Sequence, residues 1–359
     1  MGPLGSGLGG GVELTVANLI KVLHRRGHQI AVVTPAGAKR SAVGIAPEAV
    51  EIIQVPGSLQ PTAQTQGRDA PVVTSEALSN AWDYAQRYQS EYDLLVNFAY
   101  DWLPFSLTAQ LTTPVAHFVS MGSLSDRLDE AIAQTADQFP GTLAAYTHAQ
   151  VNTFAACCPL SQWKILGCGL NLSQYEYRPQ PGKALAWVGR ISPEKGLEDA
   201  IAAALKARQP LNIFGKMEDG AYWQSLQFQI GQAAREAPIT YCGFLPTDAL
   251  QKRLGHCRAL LVTPHWVEAF GIVAIEALAC GVPVIAYRDG GLVEIVCDGR
   301  TGWLVTPGDV DGLVSAISKV DAIDRADCRA QAEKYYGLER WGQRFEQWFY
   351  KIVLNTPRP

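Results

Sequence analysis

The sequence predicts an α/β protein made of two parallel-sheet, doubly wound domains. Three observations predict it. Short apolar strands alternate with helices along most of the chain, and each half has a glycine-marked loop opening a helix. The 359 residues favour two hydrophobic cores over one. The repeating unit is clearest between Ala259 and Ala286: the strand Ala259–Thr263, a loop from His265, a helix opened by Gly271 and closed by Gly281, then the strand Val282–Ala286.

Composition narrows the function classes. Hydrophobic residues at 48% and charged residues at 18% describe a globular chain. A formal charge of −4, with no Lys/Arg cluster, leaves no electrostatic footprint for nucleic acid. No apolar run reaches a membrane span, and no basic-then-apolar leader opens the chain, so a cytoplasmic location is expected. The eight cysteines show no paired CxxC spacing; they read as small buried hydrophobes, with Cys157-Cys158 as the one candidate redox pair.

In chain order, the glycine loop Gly5–Gly11 feeds an amphipathic helix with Val12, Val16, Leu19, Ile20 and Leu23 on one face and Gly27 after it. Such a loop normally follows a strand and turns its N–H groups to a phosphate or substrate. Here no strand precedes it, so either a first strand is missing or the loop is a flexible tail. The strand Gln29–Thr34 follows, then a long loop region from 35 to 75, a candidate lid holding one strand at Val50–Ile53. Next come a helix over 75–89, the strand Asp93–Asn97, the strand Pro114–His117 and a helix over 126–138. His117 and Asp101 lie at or just beyond strand ends, where such sheets present functional groups; each also reads as an ordinary packed or solvated residue.

The expected division is a first domain over 1–165, a linker over 166–182, a second domain over 183–335, and a final helix over 336–359 packing back on the first. The second domain opens with the strand Ala184–Val188, the loop Gly189–Gly196 and a helix from Leu197 to Lys206. Arg190 and Lys195 bracket that loop, as a diphosphate clamp or as two surface cations near Glu194. Strands at Leu211–Phe214 and Ile239–Cys242 come next, with Thr247 as the cap of a helix over 248–254. Two carboxylates then stand eight residues apart. Glu276 interrupts an otherwise apolar helix, and Glu268 lies in the loop at its start, where helix N–H groups favour an anion. Either the pair lines a cleft, or Glu276 faces solvent and Glu268 is ordinary helix-start chemistry. Gly290-Gly291 permits close backbone approach to a ligand, and Gly302–Val305 is a last strand. The stripe Trp341, Phe345, Trp348 and Phe349 at helical spacing reads as packing.

These pieces together resemble the retaining glycosyltransferases of family 4. The likeness is carried by Gly189-Arg190…Glu194-Lys195-Gly196, Glu268-Ala269-Phe270-Gly271…Glu276-Ala277, Gly281–Ala286, Gly290-Gly291…Glu294 and Gly299…Gly302. It implies the GT-B fold, two Rossmann-like domains facing across a cleft. It also implies roles: Arg190 and Lys195 on the donor diphosphate, Glu268 on the donor sugar, the Phe270 and Gly271 backbone on sugar and phosphates, and Glu276 on the ribose hydroxyls. His117 matches the histidine near the reacting sugar, Gly9 and Gly10 the loop over the donor, and Gly215, Phe244 and Leu245 the base site. The implied donor is a UDP-sugar, with no cofactor and no metal. A narrower likeness, in Gly2–Leu14, Asn97–Pro104 and Pro114–Ser123, is to glucosyltransferases that join UDP-glucose and tetrahydrobiopterin; it implies stacking of a pterin on Tyr100 and Trp102 and a hydrogen bond to Asp101. The rival expectations are a lipid or polysaccharide acceptor, a nucleotide-sugar binder without turnover, and an epimerase.

Overall fold

In the computed structural model the chain divides into a unit of residues 1–169 with 338–359 and a unit of residues 170–337. The described residues are 2–6, 10–39, 50–59, 68, 73–233, 235 and 237–355.

The first unit is built from α1 (Gly10–Arg25), β1 (Ala31–Pro35), β2 (Glu51–Val55), α2 (Glu76–Tyr88), β3 (Leu95–Asn97), α3 (Trp102–Leu107), β4 (Val115–Phe118), α4 (Asp126–Gln138), β5 (Leu143–Ala145), α5 (His148–Asn152) and β6 (Trp163–Ile165). Its strands are parallel and form two sheets, β1-β2 and β3-β4-β5-β6. Among the described residues β1 pairs only with β2 and β3 only with β4, so each leaves one edge without a strand neighbour. Strands β5 and β6 escaped the sequence reading: Leu143-Ala144-Ala145 and Trp163-Lys164-Ile165 carry no marked apolar run or turn-bounded β-branched pattern.

The second unit runs β7 (Leu185–Val188), α6 (Leu197–Ala207), β8 (Leu211–Phe214), α7 (Gly220–Gly231), β9 (Ile239–Tyr241), α8 (Thr247–Gly255), β10 (Leu260–Val262), α9 (Ile272–Ala279), β11 (Val284–Tyr287), α10 (Leu292–Ile295), β12 (Gly302–Val305), α11 (Val310–Lys319) and α12 (Arg325–Tyr335). All six strands are parallel, in the order β12-β11-β10-β7-β8-β9. The register sets Trp187 beside Leu261 and Leu261 beside Ile285; these residues pack with Leu197, Ile201, Leu313 and Ile317 of α6 and α11. The alternate residues Ala186, Leu260 and Val284 are equally buried, which is why these strands read as continuous apolar runs. Thr247 does not cap α8 as expected: the cap position is Pro246, and Thr247 is the first helical residue.

The last helix, α13 (Leu338–Asn355), belongs to the first unit, and its aromatic stripe is core. Trp341 Nε1 donates to Gly167 O at 3.1 Å, Trp348 Nε1 to Gly141 O at 2.8 Å, and Phe345 lies 5.3 Å from Phe118 between ring centres. Gly342 lets α13 close on α1: a Cβ there would stand 2.3 Å from a methyl of Val22.

Candidate active site

The strand order of the second unit locates its crevice. The chain moves outward from β7 to β8 and β9, then returns to place β10 on the other side of β7. Open α/β sheets bind ligands at the carboxyl ends of the strands where the order reverses. The loops leaving β7 and β10 there are the two that carry the expected charged residues, and they are fastened together. Thr263 Oγ1 donates to Gly196 O at 2.7 Å, and His265 N to Glu194 O at 2.9 Å. Gly196 is required at this join, because its φ is +62° and a Cβ would lie 1.9 Å from Thr263 O.

Lys195 and Glu268 meet at this point, Nζ to Oε2 at 2.7 Å, both side chains four-fifths buried. The ammonium also lies 4.5 Å from the centre of the Trp266 ring. Arg190 Nη1 bonds Glu218 at 2.6 Å and its Nη2 bonds Glu194 at 2.9 Å, which fixes the guanidinium over the same loop. The Asp289–Gly291 loop packs on the backbone of Glu268. Gly291 N donates to Glu268 O at 2.7 Å, and a Cβ on Gly290 would lie 2.4 Å from that same oxygen. The glycines therefore permit close approach of one loop to the other and hold Glu268 in place.

Glu276 is 7% exposed in α9, and the Tyr175 hydroxyl donates to its Oε1 at 2.8 Å. Burial pushes its carboxyl up to about 7, against the lowering effect of that hydrogen bond. Arg329 Nη1 holds the Tyr175 carbonyl at 2.7 Å and the Ala279 carbonyl at 2.6 Å, tying the tyrosine to the end of α9. Sequence reading missed Tyr175, since it reaches Glu276 across 101 positions and no local pattern marks it. Phe270 is buried and Gly271 stands at the N-terminus of α9 with φ +98°. Gly215 packs on Gly189 at the end of β8, its carbonyl taken by the Tyr241 hydroxyl at 2.9 Å, while Phe244 is exposed and Leu245 half-buried.

The expected residues of the first unit fare differently. His117 is fully buried in β4, with Nε2 2.9 Å from Thr108 Oγ1, Nδ1 3.2 Å from Asn97 Nδ2, and its ring stacked on Phe105. Burial draws its pKa down to about 3, so it is a neutral core residue whose two nitrogens face protein. Tyr100 gives its hydroxyl to Gly122 O and accepts from Leu124 N, and Asp101 caps α3 while accepting from Thr74. Trp102 packs under Arg127, 4.2 Å away, and among the described residues its buried Nε1 has no hydrogen-bond partner. The Tyr100 hydroxyl and the Asp101 carboxylate thus hold their own loop. Gly10 starts α1 with φ +55°; Gly9 lies outside the described residues. Among the described residues no cluster of three or more His, Cys, Asp or Glu could hold a metal, and no helix is long and apolar enough to cross a membrane.

Residues 174–335 match the sequence profile of the glycosyl transferases group 1 family. The chain is 33% identical over 187 residues to a glycogen synthase of Mycobacterium tuberculosis, a stretch of 49% of this chain and 44% of that enzyme. It is 34% identical over 158 residues to a D-inositol 3-phosphate glycosyltransferase of Mycolicibacterium smegmatis, 43% of this chain and 36% of that enzyme. The chain thus spans less than half the length of these relatives. Similarity in structure extends further: the Anabaena protein HepE in complex with UDP-glucose superposes with a TM-score of 0.75 at 20% identity, over 96% of this chain and 97% of that one. Sucrose-phosphate synthase from Thermosynechococcus elongatus gives a TM-score of 0.75 at 20% identity, over 96% and 94%. The fold is GT-B, with two Rossmann-like α/β units.

Proposed function

We propose that this chain is a retaining glycosyltransferase of family 4 that moves glucose from UDP-glucose to a small hydroxylated acceptor, with tetrahydrobiopterin the leading choice. One observation carries the reading: Lys195 and Glu268 meet at 2.7 Å where the strand order reverses, within the segment that matches the group 1 profile. The donor class is supported by the UDP and UDP-glucose complexes of the similar HepE fold. The acceptor rests on the likeness of first-unit segments to pterin glucosyltransferases.

In this reading Lys195 and Arg190 bind the diphosphate and stabilise the charge that grows on its β-phosphate as the bond to the anomeric carbon breaks. The acceptor hydroxyl oxygen forms its bond to that carbon on the same face. Its proton passes to an oxygen of the departing phosphate, so UDP leaves and no side chain needs to act as base. Glu268 accepts from sugar hydroxyls while its backbone is held by Gly291. Glu276 accepts from the ribose hydroxyls in exchange for Tyr175; a buried carboxylate served by one hydroxyl suits that task.

The test is a mass-spectrometric transfer assay with UDP-glucose and tetrahydrobiopterin, run beside Glu276→Ala and Lys195→Ala. A glucosylated pterin is expected from the parent, with turnover reduced on the order of a hundredfold or more in Lys195→Ala. UDP-glucose binding without product would remove this acceptor. Absence of UDP-glucose binding would remove the donor assignment as well.

A further inference from the structure

Tyr100 and Asp101 are engaged within their own loop, but a built polar corner lies beside them in the first unit. Helix α4 opens with Asp126 and carries Asp129 one turn later, while Ser123 precedes it; the three converge on the guanidinium of Arg68. Arg68 Nε and Nη2 reach Asp126 Oδ1 at 3.0 and 2.7 Å, and Nη2 also reaches Asp129 Oδ2 at 3.1 Å and Ser123 Oγ at 3.0 Å. Nη1 donates to Ser123 O at 3.1 Å. The corner thus presents carboxylates, a hydroxyl and a carbonyl to one planar N–C–N group.

Two further observations point to a ligand. Asp129 is 7% exposed, and among the described residues its buried Oδ1 has no hydrogen-bond partner, an acceptor that the Arg68 guanidinium does not reach. Asp129 also lines a cavity of about 450 Å³ whose wall continues past Arg68 to Thr153, Ala156 and Cys157. That volume falls among small-molecule pockets, which span roughly 300–1,000 Å³. The Arg68 side chain itself is half exposed, and ion pairs of that kind hold weakly. Among the described residues of the wall the carboxylates Asp126, Asp129 and Glu130 outnumber the cation Arg68, so an anionic group is disfavoured there.

We propose that the Ser123–Asp126–Asp129 corner recognises the amino-pyrimidine edge of the acceptor, and that Arg68 occupies it as an internal surrogate which the acceptor displaces. The inference rests on the proposed acceptor only for the choice of ligand; its residues lie wholly in the first unit. The 2-amino group and ring N–H of a pterin present the same paired, coplanar N–H donors as a guanidinium, on a rigid ring that loses less freedom on binding than an arginine side chain.

The test measures pterin binding to the full chain by fluorescence, without donor, in the parent and in Arg68→Ala, Asp129→Asn and Asp126→Asn. Binding is expected to tighten severalfold in Arg68→Ala, because a competitor is gone. It is expected to weaken about tenfold or more in Asp129→Asn and severalfold in the exposed-site variant Asp126→Asn. Lumazine, which carries an oxo group in place of the 2-amino group, is expected to bind weakly and to ignore all three changes. The proposal is overturned by a parent that does not bind pterin, by an Arg68→Ala protein that binds no better, or by aspartate variants that bind as the parent does. Should Asp129→Asn fail to melt cooperatively, Asp126→Asn decides alone. Hydrolysis of UDP-glucose in the absence of acceptor reports separately on the donor site: its loss in the parent would count against the transferase reading and leave the pterin result standing.

Discussion

At the scale of the residue, Glu276 converts burial into a measurable dependence on pH. Its carboxyl value in the folded chain lies near 7, above the ordinary 4.5, so folding favours the protonated form. The stability it contributes is complete below about 4.5 and is lost as the pH rises through 7. Glu276→Gln removes that loss. The variant is expected to gain up to about 3 kcal/mol over the parent between pH 4 and pH 8, read from thermal melts at the two values. A difference that stays flat with pH would show that the carboxylate is hydrated. Glu276 was legible in the sequence because a carboxylate inside an apolar helix is conspicuous on local grounds. His117 was equally conspicuous at a strand end, yet all four residues of β4 are buried, and the register turns the imidazole toward Thr108 and Phe105. Local position announces that a residue is unusual, whereas its surroundings decide whether it is reached by a ligand. The same limit hid Tyr175 and Arg68, whose partners lie 101 and about 60 positions away.

At the scale of the element, the pairing of α13 with α1 sets two opposed effects against each other. Gly342→Ala improves helix propensity by about 1 kcal/mol. It also places a methyl 2.3 Å from Val22, a residue with no exposed surface and a stiff branched side chain. Overpacking of that kind costs about 1–3 kcal/mol, so the net effect is a loss of stability. Gly231→Ala, at the end of α7 with open space around it, is the control and is expected to be neutral or slightly stabilising. Urea denaturation of both variants separates the cases; equal stability would mean that α1 yields to the added methyl. Elements with a strong period were readable: α4, β8 and β12 fall on the residues the pattern marks. Strands β5 and β6 were not, because Leu143-Ala144-Ala145 and Trp163-Lys164-Ile165 acquire strand character only by pairing with distant neighbours.

At the scale of the whole molecule, the alternation of strands and helices made the two-unit α/β architecture legible, while the split of the first unit's strands into two sheets was not. Pairing partners are a tertiary property, and the sequence names the strands without naming their neighbours. The connectivity has its own outcome. A chain ending at Gly337 lacks Trp341, Phe345 and Trp348, and with them much of the first unit's core. Hydrogen exchange on such a chain is expected to keep protection in β7, β10 and β11 and to lose it in β4 and β5. Protection retained in β4 would show that the first unit closes without its last helix.

That helix also bears on timing. A ribosome delivers residues 1–169 first but withholds the piece that completes their core until the helix Leu338–Asn355 emerges. The second unit, contiguous from 170 to 337, is free to mature while its forerunner waits, so the half begun first is the half finished last. During that interval the apolar surface around Val22 and Phe118 is exposed to chaperones and to other nascent chains. The order of synthesis therefore sets the order in which the two units can close.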